Sequence, residues 1–149
     1  ALITNGGTVV ACNDMFFGNK DNLIYPGRGI NMGDGWETKR NRTPGNRDWV
    51  ILKLARPGII DRIVVDTCHF KGNYPDSCSI ETCACNNDDD VINGKAEWQT
   101  MLSKQKLSAD CEHEFVKEVN CTAPVTHLRL NIFPDGGISR LRLFGKIKK

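Results

Sequence analysis

Residues 125–133 read Val-Thr-His-Leu-Arg-Leu-Asn-Ile-Phe and alternate strictly between apolar and polar side chains. A period of two is typical of a β-strand that buries one face. The turn residues 134–137 follow, and residues 139–145 (Ser-Arg-Leu-Arg-Leu-Phe-Gly) alternate again. The two segments therefore predict a pair of strands. The expected core side carries Leu128, Leu130, Ile132, Leu141 and Leu143, and the opposite side carries His127, Arg129, Asn131, Arg140 and Arg142.

Two more strands are predicted in the middle of the chain. Residues 49–54 and 59–67 are rich in apolar and β-branched side chains. Between them lies Ala55-Arg-Pro-Gly58, which is interpreted as a turn because Pro and Gly supply the backbone angles that turns need. In the second of these strands Ile59, Ile63 and Val65 are expected on one face.

The remaining segments complete the fold prediction. Residues 8–12 and 78–85 are β-type runs, and residues 95–119 are interpreted as two strands with a turn near Ser108. Asp88 to Asp90 are interpreted as a solvated turn, and no segment has a persuasive helical pattern. Short strands joined by connections rich in Gly, Pro, Asn and Asp predict an all-β protein, an antiparallel β-sandwich of the jelly-roll type.

Composition limits the classes of function. A chain of 149 residues fits one well-buried domain, here residues 1–149. A net charge of +2 gives no basis for a nucleic-acid interface, and no apolar run is long enough to span a membrane. Seven cysteines are an odd number for a disulfide framework. Free thiols in a reducing compartment, cytoplasmic or alternatively peroxisomal, are therefore expected.

A long loop at residues 27–49 carries most of the chemical interest. Five glycines and one proline exclude a regular helix or long strand there. The loop holds two tryptophans, three acidic and five basic residues, a mixture more typical of a binding or catalytic surface than of a spacer. The alternative is an irregular loop whose tryptophans close the end of the sandwich.

Reactive side chains recur in a second loop at residues 68–77 and in the turn at 134–137. Loops from different strands converge at the ends of a sandwich, so these residues are expected to share a cleft. Arginine suits a small carboxylate, and a neighbouring carboxylate can take and return a proton. His69 could do the same, ligate a metal, or simply bond to a backbone group; spacing alone leaves these open. No Cys-x-x-Cys pair, Gly-x-Ser-x-Gly elbow or phosphate-binding Gly-x-x-x-x-Gly-Lys-Ser/Thr motif occurs.

Three long motifs resemble those of a known family. Residues 34–40, Asp-Gly-Trp-Glu-Thr-Lys-Arg, followed by Pro44-Gly and Asp48-Trp, are similar to the allantoicase signature Asp-Gly-Trp-Glu-Thr-Arg-Arg…Pro-Gly-His-Asp-Trp. Residues 65–78 and 129–142 resemble its two other motifs. The likeness runs from about Gly7 to Gly145. Departures are Lys39 in place of an arginine, and Asn46-Arg47 where a histidine usually precedes Asp48.

The resemblance implies a jelly-roll, galactose-binding-like domain and hydrolysis of allantoate to ureidoglycolate and urea in purine degradation. Family members usually carry two such repeats, and this chain is most like the second. Its expected partners are allantoate and either further copies of itself or a second allantoicase repeat, with no nucleic acid or membrane. A divalent metal, Mn²⁺, would be compatible with the family, but the sequence has no defensible ligand set. The alternative is a non-catalytic jelly-roll module that binds a ligand or a partner.

Specific residues can be assigned on this hypothesis. Glu37, with Asp34 or His69, would perform acid–base catalysis, and Arg40 or Arg129 would bind the substrate carboxylate. Asn73 and Asp135 would bond the ureido groups. The other expected substrate-binding residues are Lys71, Asp76 and Arg140.

Overall fold

A computed structural model describes residues 6–147 and contains nine strands and one short helix. Two 3₁₀ turns, Lys20–Ile24 and Met32–Asp34, lie between the first two strands. The elements in chain order are β1 (Thr8–Cys12), β2 (Trp36–Glu37), β3 (Asp48–Asp66), β4 (Ser77–Cys83), α1 (Asp88–Ile92), β5 (Gln99–Lys106), β6 (Glu112–Phe115), β7 (Val125–Phe133), β8 (Gly137–Ile138) and β9 (Arg140–Ile147).

The long strand β3 joins the two layers of the sandwich. Its first half pairs with β1 and β7, and its second half pairs with β6 and β9, all antiparallel. Residues 55–58 therefore are not the predicted turn. Lys53 faces His127 while Gly58 faces Val125, so β3 has more residues than β7 between these two pairs. The additional residues of β3 form an irregularity that carries the strand from one layer to the other. Proline is tolerated at such a bulge because one ladder hydrogen bond is already missing.

The core lies between a layer in the order β1-β3-β7-β4-β5 and a smaller layer of β6, β3 and β9. Leu128, Leu130 and Ile132 are fully buried, as their alternation predicts. On the second half of β3, Ile60 is buried and Ile59 is half-buried, contrary to the expected face. The register shifts between Ile60 and Arg62, and this bulge reverses the alternation upstream of Ile63.

A second, smaller apolar cluster covers the outer face of the larger layer. The segment Asp88–Asp90 begins helix α1 rather than forming a solvated turn. The Asn87 side chain caps the helix by accepting the N–H of Asp89. Acidic residues in the first turn interact favourably with the positive end of the helix dipole. Val91 of this helix packs with Ile51. Five residues with one buried apolar side chain are too few for a helical period to be recognised in the sequence.

Two strands, β5 and β6, occupy residues 95–119 as predicted.

Strand β2 pairs with β8, which brings the 27–49 loop against the 134–137 turn: Trp36 faces Ile138 and Glu37 faces Gly137. The Trp36 ring is fully buried, and its Nε1–H donates to Asp14 O over 2.8 Å. The helices within residues 6–147 are all too short to cross a bilayer.

Candidate functional site

A cavity of about 1090 Å³ opens where the three polar loops meet. Strand pairing between β2 and β8 holds the 27–49 loop beside the 134–137 turn. The N–H of Gly137 donates to Asn73 O over 2.9 Å, which attaches the 68–77 loop. The convergence expected from sandwich topology is therefore present. The lining residues are Phe17, Met32, Glu37, Thr38, Arg40, Asn41, Arg42, His69, Lys71, Gly72, Asn73, Tyr74, Asp76, Lys106, Leu107, Pro134, Asp135 and Gly136.

Glu37 is a carboxylate of the cavity whose backbone and side chain are both held in place. Its backbone pairs with Gly137 on one side and with Gly18 on the other. The Asn73 Nδ2–H donates to its Oε2 over 2.6 Å, which fixes the carboxylate plane. No side chain or backbone group of residues 6–147 donates to the other oxygen, Oε1. A half-buried carboxylate with one oriented and one unoccupied oxygen is suited to accept and return a proton.

Three cationic side chains of the cavity have no carboxylate partner among residues 6–147: Arg40, Arg42 and Lys71. The fourth, Lys106, is paired with Asp76, and this hydrogen bond holds the pKa of the Asp76 carboxyl below its ordinary value. Unpaired guanidinium groups can bind both oxygens of a small carboxylate. Arg42 is absent from the sequence-based assignment, although it follows Arg40 by two residues in the same loop.

His69 lines the cavity and is anchored at two points. Its ring Nε2 lies 2.7 Å from Gly29 O, and because a carbonyl only accepts, this nitrogen is the donor. Its backbone N–H donates to Asp110 Oδ1 over 2.7 Å. The backbone is left-handed at His69, with φ 72°. In the neutral ring the remaining lone pair is on Nδ1, which is the atom available for proton transfer or for a metal.

Asp135 organises the cavity wall. Its Oδ2 accepts the N–H of Asn41 over 2.7 Å, which ties the 27–49 loop to the turn after β7. Thr38 and Gly136 exchange hydrogen bonds beside it, with Gly136 N–H donating to Thr38 Oγ1 over 3.1 Å. Asp135 lines the cavity, but part of its hydrogen-bonding capacity is used within the protein.

Asp34 and Arg140 lie outside the cavity lining and bond to each other. The Arg140 side chain is only 4% exposed, and its Nη2 donates to Asp34 Oδ2 over 2.9 Å. It also donates to the carbonyl oxygens of Gly27, Asp34 and Ser139. Partial burial alone would raise the pKa of Asp34, but hydrogen bonds from Ile30 N–H and from Arg140 hold it below its ordinary value. The structure therefore gives this pair a role in fastening the 27–34 segment to β9.

Arg129 is also away from the cavity, on the outer face of β7. Its Nε and Nη2 donate to Glu81 Oε1 over 3.1 and 2.9 Å, and its guanidinium carbon lies 4.5 Å from the centroid of the Trp98 ring. Asn131 donates to the same Glu81 oxygen. The alternation of β7 already places Arg129 beside His127 and Asn131, in the middle of a sheet face rather than at a sandwich end.

The structure brings one set of metal-binding atoms together: a ligand atom from each of Cys68, His69 and Asp110 lies within 4.8 Å of the other two. Burial raises the pKa of the Cys68 thiol. Mn²⁺ prefers carboxylate, carbonyl and water oxygens, whereas thiolate and imidazole suit Zn²⁺. These residues therefore do not fit a manganese site, and no other group of this kind is present within residues 6–147.

Comparison with known proteins identifies the family to which this chain belongs. The model of the allantoicase repeat matches residues 1–148. The chain belongs to the allantoicase family. A probable allantoicase of Pseudomonas fluorescens strain Pf0-1 is 54% identical over 100% of this chain and 45% of its own length. A probable allantoicase of Photobacterium profundum is 59% identical over 97% of this chain and 44% of its own. The chain thus spans about half the length of the curated relatives that it matches.

Solved structures agree with this assignment. The crystal structure of allantoicase from Saccharomyces cerevisiae has a TM-score of 0.85 and 39% identity over 97% of this chain and 42% of its own. The module CBM32-3 of a family 31 glycoside hydrolase from Clostridium perfringens has a TM-score of 0.70 at 12% identity, over 94% of this chain and 91% of its own. The latter likeness concerns the fold alone. The resemblance inferred from the three motifs is confirmed, and the fold is the expected jelly-roll, galactose-binding-like sandwich.

Proposed function

We propose that this allantoicase repeat, residues 1–149, forms a site at which allantoate is hydrolysed to ureidoglycolate and urea in purine degradation. The observation that carries the proposal is the meeting of all three family motifs around one cavity that contains an oriented carboxylate and unpaired cations. A non-catalytic binding module is the alternative, but high identity to allantoicases along the whole chain favours the enzyme.

Allantoate has one carboxylate and two ureido groups on a single carbon, and the cavity offers a partner for each. Arg40, assisted by Arg42 or Lys71, would bind the carboxylate through paired N–H donors. Asn73 and Asp135 would bond the ureido groups. Lys106 neutralises Asp76, which we therefore place at the edge of the site rather than on the substrate.

In the proposed reaction Glu37 takes a proton from a water molecule as the water oxygen bonds to the central carbon. The bond from that carbon to one ureido nitrogen breaks, and the same proton passes to the leaving nitrogen, which departs as urea. Ureidoglycolate remains. His69 is the second candidate for proton transfer, through Nδ1. We assign Asp34 no part in this step because its carboxylate bonds to Arg140, and we assign no step to manganese because the available donor atoms do not fit it.

The proposal is tested by the variant Glu37→Gln, which has the same shape but no basic carboxylate. A positioned acid–base group contributes about 10²- to 10⁴-fold to a rate, so urea release should fall by that factor with the fold intact. Glu118→Gln is the matched control, since Glu118 is exposed and does not line the cavity. Full activity of Glu37→Gln would refute the assignment.

We also propose that this repeat works beside a second repeat or another copy of the chain, because the curated relatives are about twice as long. A cytoplasmic location is proposed on the ground that an odd set of seven cysteines suits a reducing compartment. Fractionation of cells and sedimentation of the purified protein would test these two points.

A further inference from the structure

The cluster of Cys68, His69 and Asp110 is built from two separate segments of the chain that are firmly joined. Thr67 Oγ1 donates to Ser108 O over 2.7 Å, and Thr67 N–H donates to Cys111 O over 3.0 Å. Asp110 N–H in turn donates to Phe70 O over 3.1 Å. These hydrogen bonds join residues 67–70 to residues 108–111 on either side of the cluster, so backbone contacts hold the segments that carry its three side chains next to each other.

The histidine of the cluster already has the second partner that metal-bound histidines need. Ligating histidines almost always donate their other ring N–H to a carboxylate, a carbonyl or water, which fixes the tautomer and orients the ring. In His69 this donor is Nε2–H, bonded to Gly29 O at 2.7 Å, so the lone pair is left on Nδ1. Asp110 uses Oδ1 to accept the His69 N–H, and no group of residues 6–147 donates to its Oδ2.

The charges around the cluster favour a cation. Arg28 donates through Nε and Nη2 to the two oxygens of Asp66, each at 3.0 Å, and also lies 3.3 Å from Glu112. Asp66, whose Oδ1 also accepts the Cys68 N–H, and Glu112 thus place two carboxylates beside one guanidinium, and Asp110 adds a third carboxylate within the cluster itself. A divalent cation would offset the remaining negative charge.

We propose that Cys68, His69 and Asp110 form a binding site for a thiophilic divalent cation of the Zn²⁺ class. A set of one sulfur, one nitrogen and one oxygen ligand matches the preference of Zn²⁺. Three protein ligands leave a fourth position for water or another small ligand. Because His69 also lines the large cavity, this site lies at the edge of the proposed allantoate site. A cation on Nδ1 would take the lone pair that proton transfer by His69 needs, which leaves that role to Glu37 in the metal-bound protein. The proposal goes beyond the proposed function, and its test does not depend on turnover.

The test is a titration of the purified, metal-free protein with Co²⁺, whose complexes with thiolate absorb in the near ultraviolet. We expect a sulfur-to-cobalt charge-transfer band that saturates at one equivalent per chain and is removed by added Zn²⁺. Cys68→Ser should abolish the band. Asp110→Asn, at an exposed position, should weaken Zn²⁺ binding by about tenfold or more. Cys12→Ser, a half-buried thiol elsewhere, is the matched control and should leave the band unchanged.

The pair Cys111 and His113 provides the competing explanation, since Cys111 Sγ lies 3.4 Å from His113 Nε2. Both ring nitrogens of His113 are already occupied, because Nδ1 donates to Val65 O and Nε2 accepts Ser108 N–H. We therefore expect Cys111→Ser to retain the band. A band that survives in Cys68→Ser and disappears in Cys111→Ser would overturn the proposal, and so would the absence of a band from protein shown by circular dichroism to be folded.

Discussion

Replacing Arg140 with methionine should destabilise the protein more than the loss of an ordinary ion pair. The side chain of Arg140 is 4% exposed and donates to Asp34 Oδ2 and to the carbonyl oxygens of Gly27, Asp34 and Ser139. Methionine fills a similar volume but leaves these acceptors without a donor. Removing one partner of a buried pair costs about 3–5 kcal/mol, whereas an exposed pair contributes about 0–1 kcal/mol.

The partial exposure of Asp34 determines where the loss of stability in Arg140→Met should fall within the range for a buried pair. Asp34 is 29% exposed, so water can hydrate part of the charge that the substitution leaves behind. We therefore expect a loss of about 3 kcal/mol in the free energy of unfolding, near the lower limit for a buried pair. Unfolding in guanidinium chloride, followed by the fluorescence of the three tryptophans, measures this quantity. Arg56→Met, at an exposed position, serves as the control.

The same variant has a defined dependence on pH. Because the pKa of Asp34 is held below its ordinary value, its contribution to stability is present above the unfolded pKa of about 4 and disappears as pH falls through the folded pKa. The difference in stability between wild type and Arg140→Met should therefore be constant near neutral pH and shrink below about pH 4. A loss under about 1 kcal/mol at pH 7, or a difference that grows on acidification, would refute the reasoning.

Three further changes test the site and the core. Arg40→Ala should reduce kcat/KM for allantoate by about 10- to 100-fold through loss of a charged hydrogen bond, with Arg56→Ala unchanged; an equal effect of the two would remove Arg40 from the substrate site. Gly137→Ala should destabilise by about 1–3 kcal/mol, because a Cβ there would lie 2.0 Å from the Phe70 ring, and wild-type stability would contradict this close approach. Leu130→Ala, at a fully buried position, should cost about 2–5 kcal/mol in the same unfolding assay, and a cost under about 1 kcal/mol would mean that this part of the core is loosely packed.

The regular strands were the predictable part of the fold. Strict alternation in β7 placed Leu128, Leu130 and Ile132 on the core correctly, although His127 and Asn131 on the opposite face are buried as well. The predictions of a turn at residues 55–58 and of a core-facing Ile59 were wrong. There the local signals of Pro57 and Gly58 do not distinguish a chain reversal from a bulge, and only the pairing of β3 with β7 and β9 determines which one forms.

The candidate site was predictable in part. The three polar loops were expected to converge, and Glu37, Arg40 and His69 do line the cavity that they form. The arginines were harder to separate. Arg129 and Arg140 have the same alternating context in the sequence, but one stacks on Trp98 outside the sandwich and the other is buried against Asp34. The residue type determines which groups a guanidinium can bind, but it does not determine which of those groups the fold places beside it.

The sequence by itself determined the fold class and the family, because alternation of side chains and long, chemically specific motifs are local properties of the chain. Tertiary structure alone decided which charges remain available. Asp34, Glu37 and Asp76 are chemically alike as side chains, yet Arg140 binds the first, Asn73 orients the second and Lys106 neutralises the third. The environment of a charge depends on groups that are distant in the chain, and these become neighbours only when β2 pairs with β8 and β3 crosses between the two layers.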